Sequence, residues 1–302
     1  MSSANRNSLS ALSQAMVEAV STAALSTVLV NARRRLPATG VAYAADLIVT
    51  ADHVVEQDEE ITVVLPDRTE LSATLVGRDP ASDLALLRLE QASATPCQAA
   101  AKAAQVGQIV LALGRPTPGG IQASLGIVTA IGGPLRTGQG GFVEQVLRTD
   151  AVPYPGFSGG PLVDSGGAVL GINTSGLARG NFLSIPIGIA WQVAATLAQH
   201  GRIRRGYLGI RSQPVELNEA AQRELHRQQA MGLLLVGIEE NSPAAAAGLI
   251  LGDILVGIGE NVVSDADELL AHLNGEAVGK PTRLEILRGG ERRTLTVIVG
   301  ER

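Results

Sequence analysis

Apolar positions along the chain fall into two regimes. Residues 8–24 carry Leu9, Leu12, Met16, Val20 and Ala24 near helical spacing, which predicts an amphipathic helix within an N-terminal segment spanning 1–24. From residue 25 onward the pattern changes to short β-branched and leucine-rich runs separated by Gly, Pro, Asp and Asn. Strands are predicted at 62–65, 71–77, 84–89, 109–113, 126–131, 143–148 and 168–172, with a late one at 182–187. Even spacing of such strands predicts a mainly β fold of two six-stranded barrels with a site in the cleft between them. A helix over 190–200 closes this domain (25–200), 201–205 reads as a linker, and 206–302 forms a small α+β domain.

Composition narrows the picture. With 302 residues the chain has room for both domains, and 45% hydrophobic content supplies their cores. Aromatics are only 2%, so those cores must be built from Val, Leu, Ile and Ala. A net charge of −5 and the absence of a basic stripe argue against a nucleic-acid partner. The cluster Arg202-Ile-Arg-Arg205 reads as a solvated helix end at the interdomain join. Cys97 is the only cysteine, so no intrachain disulfide forms, and it reads as a small hydrophobe. No His/Cys/Asp group has metal-ligand spacing, so neither a metal nor a cofactor is expected. Residues 1–13 are polar, and 11–30 contain Gln14 and Glu18 among many Ser and Thr, so no spanning helix or signal-peptide core is read there. The expected location is therefore cytoplasmic.

The densest chemical signal is Pro155-Gly-Phe-Ser-Gly-Gly-Pro161. Glycines on both sides let Ser158 sit on a tight turn and let main chain approach a substrate. The N–H groups of Gly156 and Ser158 can then point at one spot, as an oxyanion hole requires. A nucleophilic serine also needs a base and a carboxylate to orient it. Of four histidines, His53 follows the strand-like run 47–51, whereas His200, His226 and His272 sit on helical or polar stretches. Asp83 stands at the lip of the strand 84–89; its competitor Asp79 precedes Pro80 and reads as a turn residue.

The order His53, Asp83, Ser158 is that of chymotrypsin-type proteases. Together with the segments 50–55, 79–89, 149–163 and 206–210 it resembles the HtrA/Deg family, trypsin-like serine proteases followed by a PDZ domain. The resemblance implies His53 as general base, Asp83 as its orienting partner, Ser158 as nucleophile, and Gly156 and Ser158 as oxyanion donors. Two positions depart from the family: Phe157 replaces the usual Asn, and Asp52 stands where Asn or Ala is usual. Phe157 is expected to change how the nucleophile loop is held, and Asp52 to raise the basicity of His53.

Gly206-Tyr-Leu-Gly-Ile210 is similar to the carboxylate-binding loop of PDZ domains, with Tyr207, Leu208, Gly209 and Ile210 facing a peptide terminus. A helix over 265–273 would flank the groove with Leu269 and Leu273. A substrate pocket is expected from 152–155 and 181–186, notably Tyr154, Pro155, Ser184 and Ile185. Neither segment holds Asp or Glu, so a preference for aliphatic residues is expected. The resemblance also implies unfolded or damaged proteins as substrates, C-terminal tails at the PDZ groove, and a homotrimer built on early aromatic residues, although the first aromatic here is Tyr43. The alternative reading is a catalytically idle, PDZ-based scaffold or chaperone.

Overall fold

A computed structural model describes residues 3–34, 36–136, 142–177, 182–273, 275 and 277–301. Asn181 of the expected pocket, and Met1 and Ser2 of the N-terminal segment, lie outside the described residues. The chain divides into two compact units, 1–203 and 204–302.

In the first unit, β1 (Thr27–Asn31), β2 (Ala38–Ala44), β3 (Leu47–Ala51), β4 (Ile61–Val64), β5 (Glu70–Asp79) and β6 (Leu84–Leu89) close into a barrel ordered β1-β2-β3-β6-β5-β4. A second barrel begins with β7 (Ile109–Thr117) and β8 (Gly120–Gly132). After a small hairpin of β9 (Leu135–Arg136) and β10 (Phe142–Val143), β11 (Val146–Thr149), β12 (Pro161–Val163), β13 (Val169–Thr174) and β14 (Leu183–Pro186) complete it in the order β11-β14-β13-β12-β7-β8. The double barrel matches the fold class read from the strand pattern.

Side-chain alternation explains why many of these strands read as continuous apolar runs. On β6, Leu84 and Leu86 face a core shared by both barrels, while Ala85, Leu87 and Leu89 fill the first barrel. On β7, Leu111 and Leu113 join the shared core, and Val110 and Ala112 fill the second barrel. Both faces are buried, so no polar face breaks the run.

Two helices pack on this body. The C-terminal helix α2 (Ile187–His200) buries Ala190, Ala194 and Leu197 and ends on Gly201, whose φ of 72° allows its N–H to reach Leu197 O at 2.8 Å. The N-terminal helix α1 (Ser3–Ala24) buries only the later part of the expected stripe: Leu9 and Leu12 are 59% and 47% exposed, while Met16 and Val20 pack on the core. Ala19 and Ala23 are buried beside them. A Cβ at Gly167 would stand 2.7 Å from Ala19 O, so the helix lies against bare backbone. Small side chains allow that approach, and leucines would prevent it.

The second unit contains a sheet running β16 (Ile210–Glu216), β17 (Met231–Ile238), β18 (Ile254–Ile258), β20 (Pro281–Arg288), β21 (Glu291–Ile298), with β19 (Asn261–Val262) paired to β18. A separate ribbon pairs β15 (Gly206–Tyr207) with β22 (Gly300–Glu301). Helices α3 (Glu219–Leu225), α4 (Pro243–Ala246) and α5 (Ala266–His272) cover it, each opened by a capping side chain: Asn218, Ser242 and Asp265. Buried Asp253 is held by Arg288 at 2.7 Å through both carboxylate oxygens.

Truncating the shared core and the exposed helix face should have opposite outcomes in denaturant unfolding. Leu86→Ala is expected to cost about 2–5 kcal/mol, and Leu12→Ser to stay within about 0.5 kcal/mol of the parent.

Candidate active site

Strand pairing brings the first two candidate groups together. Ala51 at the end of β3 faces Leu84 at the start of β6, so the residues just beyond each strand become neighbours. Asp52 N donates to Asp83 O at 3.0 Å, and residues Asp52–Val54 wind into one tight turn that buries Val54 and projects His53 outward. Asp83 takes a φ of 54° there, a conformation aspartate tolerates better than most residues. Its carboxylate, in a residue 4% exposed, accepts from His53 N at 2.8 Å on Oδ1 and from His53 Nδ1 at 2.7 Å on Oδ2. Thr174 Oγ1 also donates to Oδ2. Three donors satisfy an ionised carboxylate, and the Nδ1 proton leaves Nε2 as the acceptor nitrogen of the ring. Above the pair, a Cβ at Gly176 would stand 2.6 Å from both Asp83 Oδ2 and His53 Nδ1.

Ser158 rides a turn that only glycine permits. Gly156 and Gly159 have φ of 86° and 83°, and a Cβ at Gly159 would lie 2.1 Å from Thr39 O. The turn is tied on three sides. Gly159 N donates to Asn173 O at 2.8 Å, Thr39 N to Ser158 O at 3.2 Å, and Thr39 Oγ1 to Gly156 O at 2.7 Å. Thr39 Oγ1 in turn accepts from Arg115 N at 2.8 Å, and the buried Arg115 guanidinium donates to Thr27 O and to Ala24 O at the end of α1. Among the described residues neither Gly156 N nor Ser158 N donates to a protein acceptor. Both are available to an incoming oxygen.

Phe157 points the opposite way. It is fully buried in the second barrel's interior, edge-on to Tyr154 with ring centroids 5.4 Å apart. A Cβ at Gly114 would stand 2.4 Å from its ring, so the missing side chain on β7 makes the hole that the ring fills. An apolar anchor thus sits between the two free N–H groups.

Other residues enter the site unannounced. Thr174 and Ser175 follow the apolar run of β13, and polarity at a strand end was the only signal for them. Ser175 Oγ lies 3.1 Å from Ser158 Oγ and 3.4 Å from His53 Nε2. Asp52, by contrast, turns to Arg78, whose Nη1 is 3.5 Å from Asp52 Oδ1. Burial raises the Asp52 carboxyl above its ordinary value, against the opposing pull of Arg78. Asp79, read as a turn residue, closes β5 with its carboxylate accepting from Ser82 Oγ at 2.6 Å.

The pocket candidates separate. Tyr154 and Pro155 are exposed beside the serine turn. Ser184 and Ile185 are 0% exposed: Ser184 Oγ donates to Asn173 Oδ1 at 2.8 Å, and Ile185 belongs to the shared core. The two side chains leave opposite faces of β14 and both faces are covered, so they offer no open surface. Cys97 is half-buried, and burial pushes its thiol up to about 12.

In the second unit, Leu208, Leu269 and Leu273 are buried in its core and Ile210 packs partly against it. Gly209 has a φ of 78°, and among the described residues neither Leu208 N nor Gly209 N donates to a protein acceptor. Tyr207 donates its hydroxyl to Glu239. Strand β16 ends the sheet, so among the described residues its outer edge pairs with no other strand. α5 packs beside it.

Double barrel, imidazole–carboxylate pair and glycine-bound serine are the marks of a trypsin-like serine peptidase, here followed by a PDZ domain. Residues 38–172 match the model of the trypsin-like peptidase domain, and 206–299 that of the PDZ domain. The solved "HtrA-type protease AlgW with tripeptide" is 31% identical, covers 95% of this chain and 97% of its own, and superimposes with a TM-score of 0.78. A serine endoprotease from Yersinia pestis gives 0.79 at 27% identity, covering 95% and 98%. The chain belongs to the HtrA/Deg family. In Pseudomonas putida (strain GB-1), the "Probable periplasmic serine endoprotease DegP-like" is 37% identical over 261 residues, 84% of this chain and 53% of that protein. A protein of the same name in Halomonas elongata is 35% identical over 84% of this chain and 54% of its own length. The chain therefore spans about half the length of the curated relatives it matches. Their periplasmic naming overturns the cytoplasmic expectation, which rested on a polar start and a lone cysteine; neither reports a compartment.

Gly114→Ala should push the Phe157 ring from its hole, costing about 1–3 kcal/mol, and pairing it with Phe157→Leu should recover part of that loss in a double-mutant cycle. Asp52 has a pH signature. Its folded value lies above the unfolded one, so the folded chain keeps a proton that the unfolded chain has lost. Its contribution falls as pH rises through that window and stays low above it. Asp52→Asn should therefore melt higher than the parent at pH 7, and calorimetry below the ordinary carboxylate value of 3.8 should find the gap closed.

Proposed function

We propose that the chain is a serine endopeptidase of the periplasm that hydrolyses peptide bonds of unfolded or damaged proteins through an acyl-enzyme. The observation that carries this reading is the grip of Asp83 on both the backbone and the ring of His53, which presents Nε2 toward the serine side of the cleft. In this reading Ser158 Oγ attacks the scissile carbonyl and His53 takes the proton. Asp83 holds the ring and stabilises the imidazolium. The free N–H groups of Gly156 and Ser158 receive the oxyanion; one such donor is worth about 10²–10³ in kcat. Water then releases the acyl group.

Tyr154 and Pro155 are exposed beside the serine turn, and 152–155 carries no acidic side chain, which supports a preference for aliphatic residues before the cut. The PDZ unit is proposed to take C-terminal tails. The free N–H groups of Leu208 and Gly209 would receive the terminal carboxylate, and the open edge of β16 would pair with the peptide. Solved AlgW structures carry a tripeptide and a decapeptide, which fits peptide capture as a family property.

A fluorophosphonate probe and casein digestion test the reading together. Parent protein should label at Ser158 and digest casein, faster with a hydrophobic C-terminal peptide present. Ser158→Ala should not label and should lose roughly 10⁴–10⁶ in kcat. A parent that never labels, with or without peptide, would sink the endopeptidase reading.

A further inference from the structure

Ser175 occupies a place that the three-residue scheme leaves out. Its hydroxyl reaches Ser158 Oγ at 3.1 Å and His53 Nε2 at 3.4 Å, while among the described residues no hydrogen bond joins Ser158 directly to the ring. The position is held firmly. Asn173, two residues earlier, is fixed between Pro161 O at 3.0 Å and Ser184 at 2.8 Å. Thr174 Oγ1 accepts from Gly176 N at 2.9 Å while donating to Asp83, so the backbone on both sides of Ser175 is pinned.

Donor counting fixes the direction of every bond. In the neutral ring that acts as base, with the Nδ1 proton given to Asp83, Nε2 has only a lone pair and Ser175 donates to it. A hydroxyl has one proton, so toward Ser158 Ser175 can only accept. The result is a one-way chain: Ser158 to Ser175 to His53 to Asp83.

We propose that Ser175 is a catalytic hydroxyl that relays the proton of Ser158 to His53, an inference that rests on the endopeptidase reading above. As Ser158 Oγ bonds to the carbonyl carbon, its proton passes to Ser175 Oγ and the proton of Ser175 passes to Nε2. The carbonyl π pair moves onto oxygen, facing Gly156 N and Ser158 N. Ser175 ends neutral and His53 ends as imidazolium. Collapse of the tetrahedral intermediate breaks the C–N bond, and the Nε2 proton leaves with the amine. In deacylation water gives His53 a proton as its oxygen bonds to the acyl carbon, and as the bond to Ser158 breaks one proton passes from Nε2 to Ser175 and the Ser175 proton passes to Ser158.

The test compares parent, Ser175→Ala, Ser175→Thr and Ser158→Ala by fluorophosphonate labelling, peptide kinetics and melting temperature. Ser175 is exposed, so water can replace part of the relay, and the full general-base effect of about 10²–10⁴ is not at stake. Ser175→Ala is expected to slow labelling and lower kcat about tenfold or more, with KM and melting temperature unchanged. Ser175→Thr keeps the hydroxyl and should stay within severalfold of the parent. A Ser175→Ala protein that labels as fast as the parent overturns the relay and leaves the endopeptidase reading standing. So does a Thr variant as slow as the Ala variant. A parent that does not label overturns both.

Discussion

Burying an ionised carboxylate is the constraint around which the first unit is arranged. Asp83 is almost fully enclosed, and an uncompensated charge there would cost several kcal/mol. Three donors meet it: the His53 N–H, the His53 ring and the Thr174 hydroxyl. Two come from the end of β3 in the first barrel and one from the end of β13 in the second. Satisfying the charge therefore fixes the barrels' strand ends against each other. Placement of the imidazole is a by-product of that electrostatic requirement, and withdrawal of any one donor would leave about 1–3 kcal/mol unmet.

The serine turn depends on a different kind of force. Its polar ties run through Thr39 and Asn173, but its deepest anchor is the Phe157 ring in the space left by Gly114. Burial of such a ring is worth about 1.5–3 kcal/mol and has no preferred direction of its own. Direction comes from the glycine-only backbone on either side, which sends the ring inward and the two free N–H groups outward. Hydrophobic packing of the second barrel and geometry of the oxyanion site are thereby one event.

Much of this was legible in the residues. Several barrel strands announced themselves, 84–89 with its observed bounds, whereas β1 and β2 were not read. His53, Asp83 and Ser158 stood out because each follows or precedes a strand with the residue type the chemistry needs. What stayed hidden had no local signature. Leu9 and Leu12 show helical spacing yet stay exposed, because the helix meets the barrel along Met16, Ala19, Val20 and Ala23, nearer its C-terminal end. Ser184 and Ile185 follow the serine motif in sequence, but the packing that covers both faces of β14, which a single chain does not display, leaves them no open surface. Thr174 and Ser175 are ordinary hydroxyls until the fold sets them beside Asp83 and Ser158. Asp52, the chain neighbour of His53, also faces Arg78, a partner 26 positions away that β5 supplies. The compartment left no mark in the residues considered.

The lone thiol of Cys97 gains meaning from its burial. Burial pushes the titration of the sulfur up to about 12, so the thiolate is scarce at neutral pH. Attack on a disulfide requires that anion, so cross-linking to neighbouring chains or to small disulfides is slow. In an oxidising compartment, an unpaired cysteine is ordinarily where covalent aggregation begins. Here burial works against that start by disfavouring the anion.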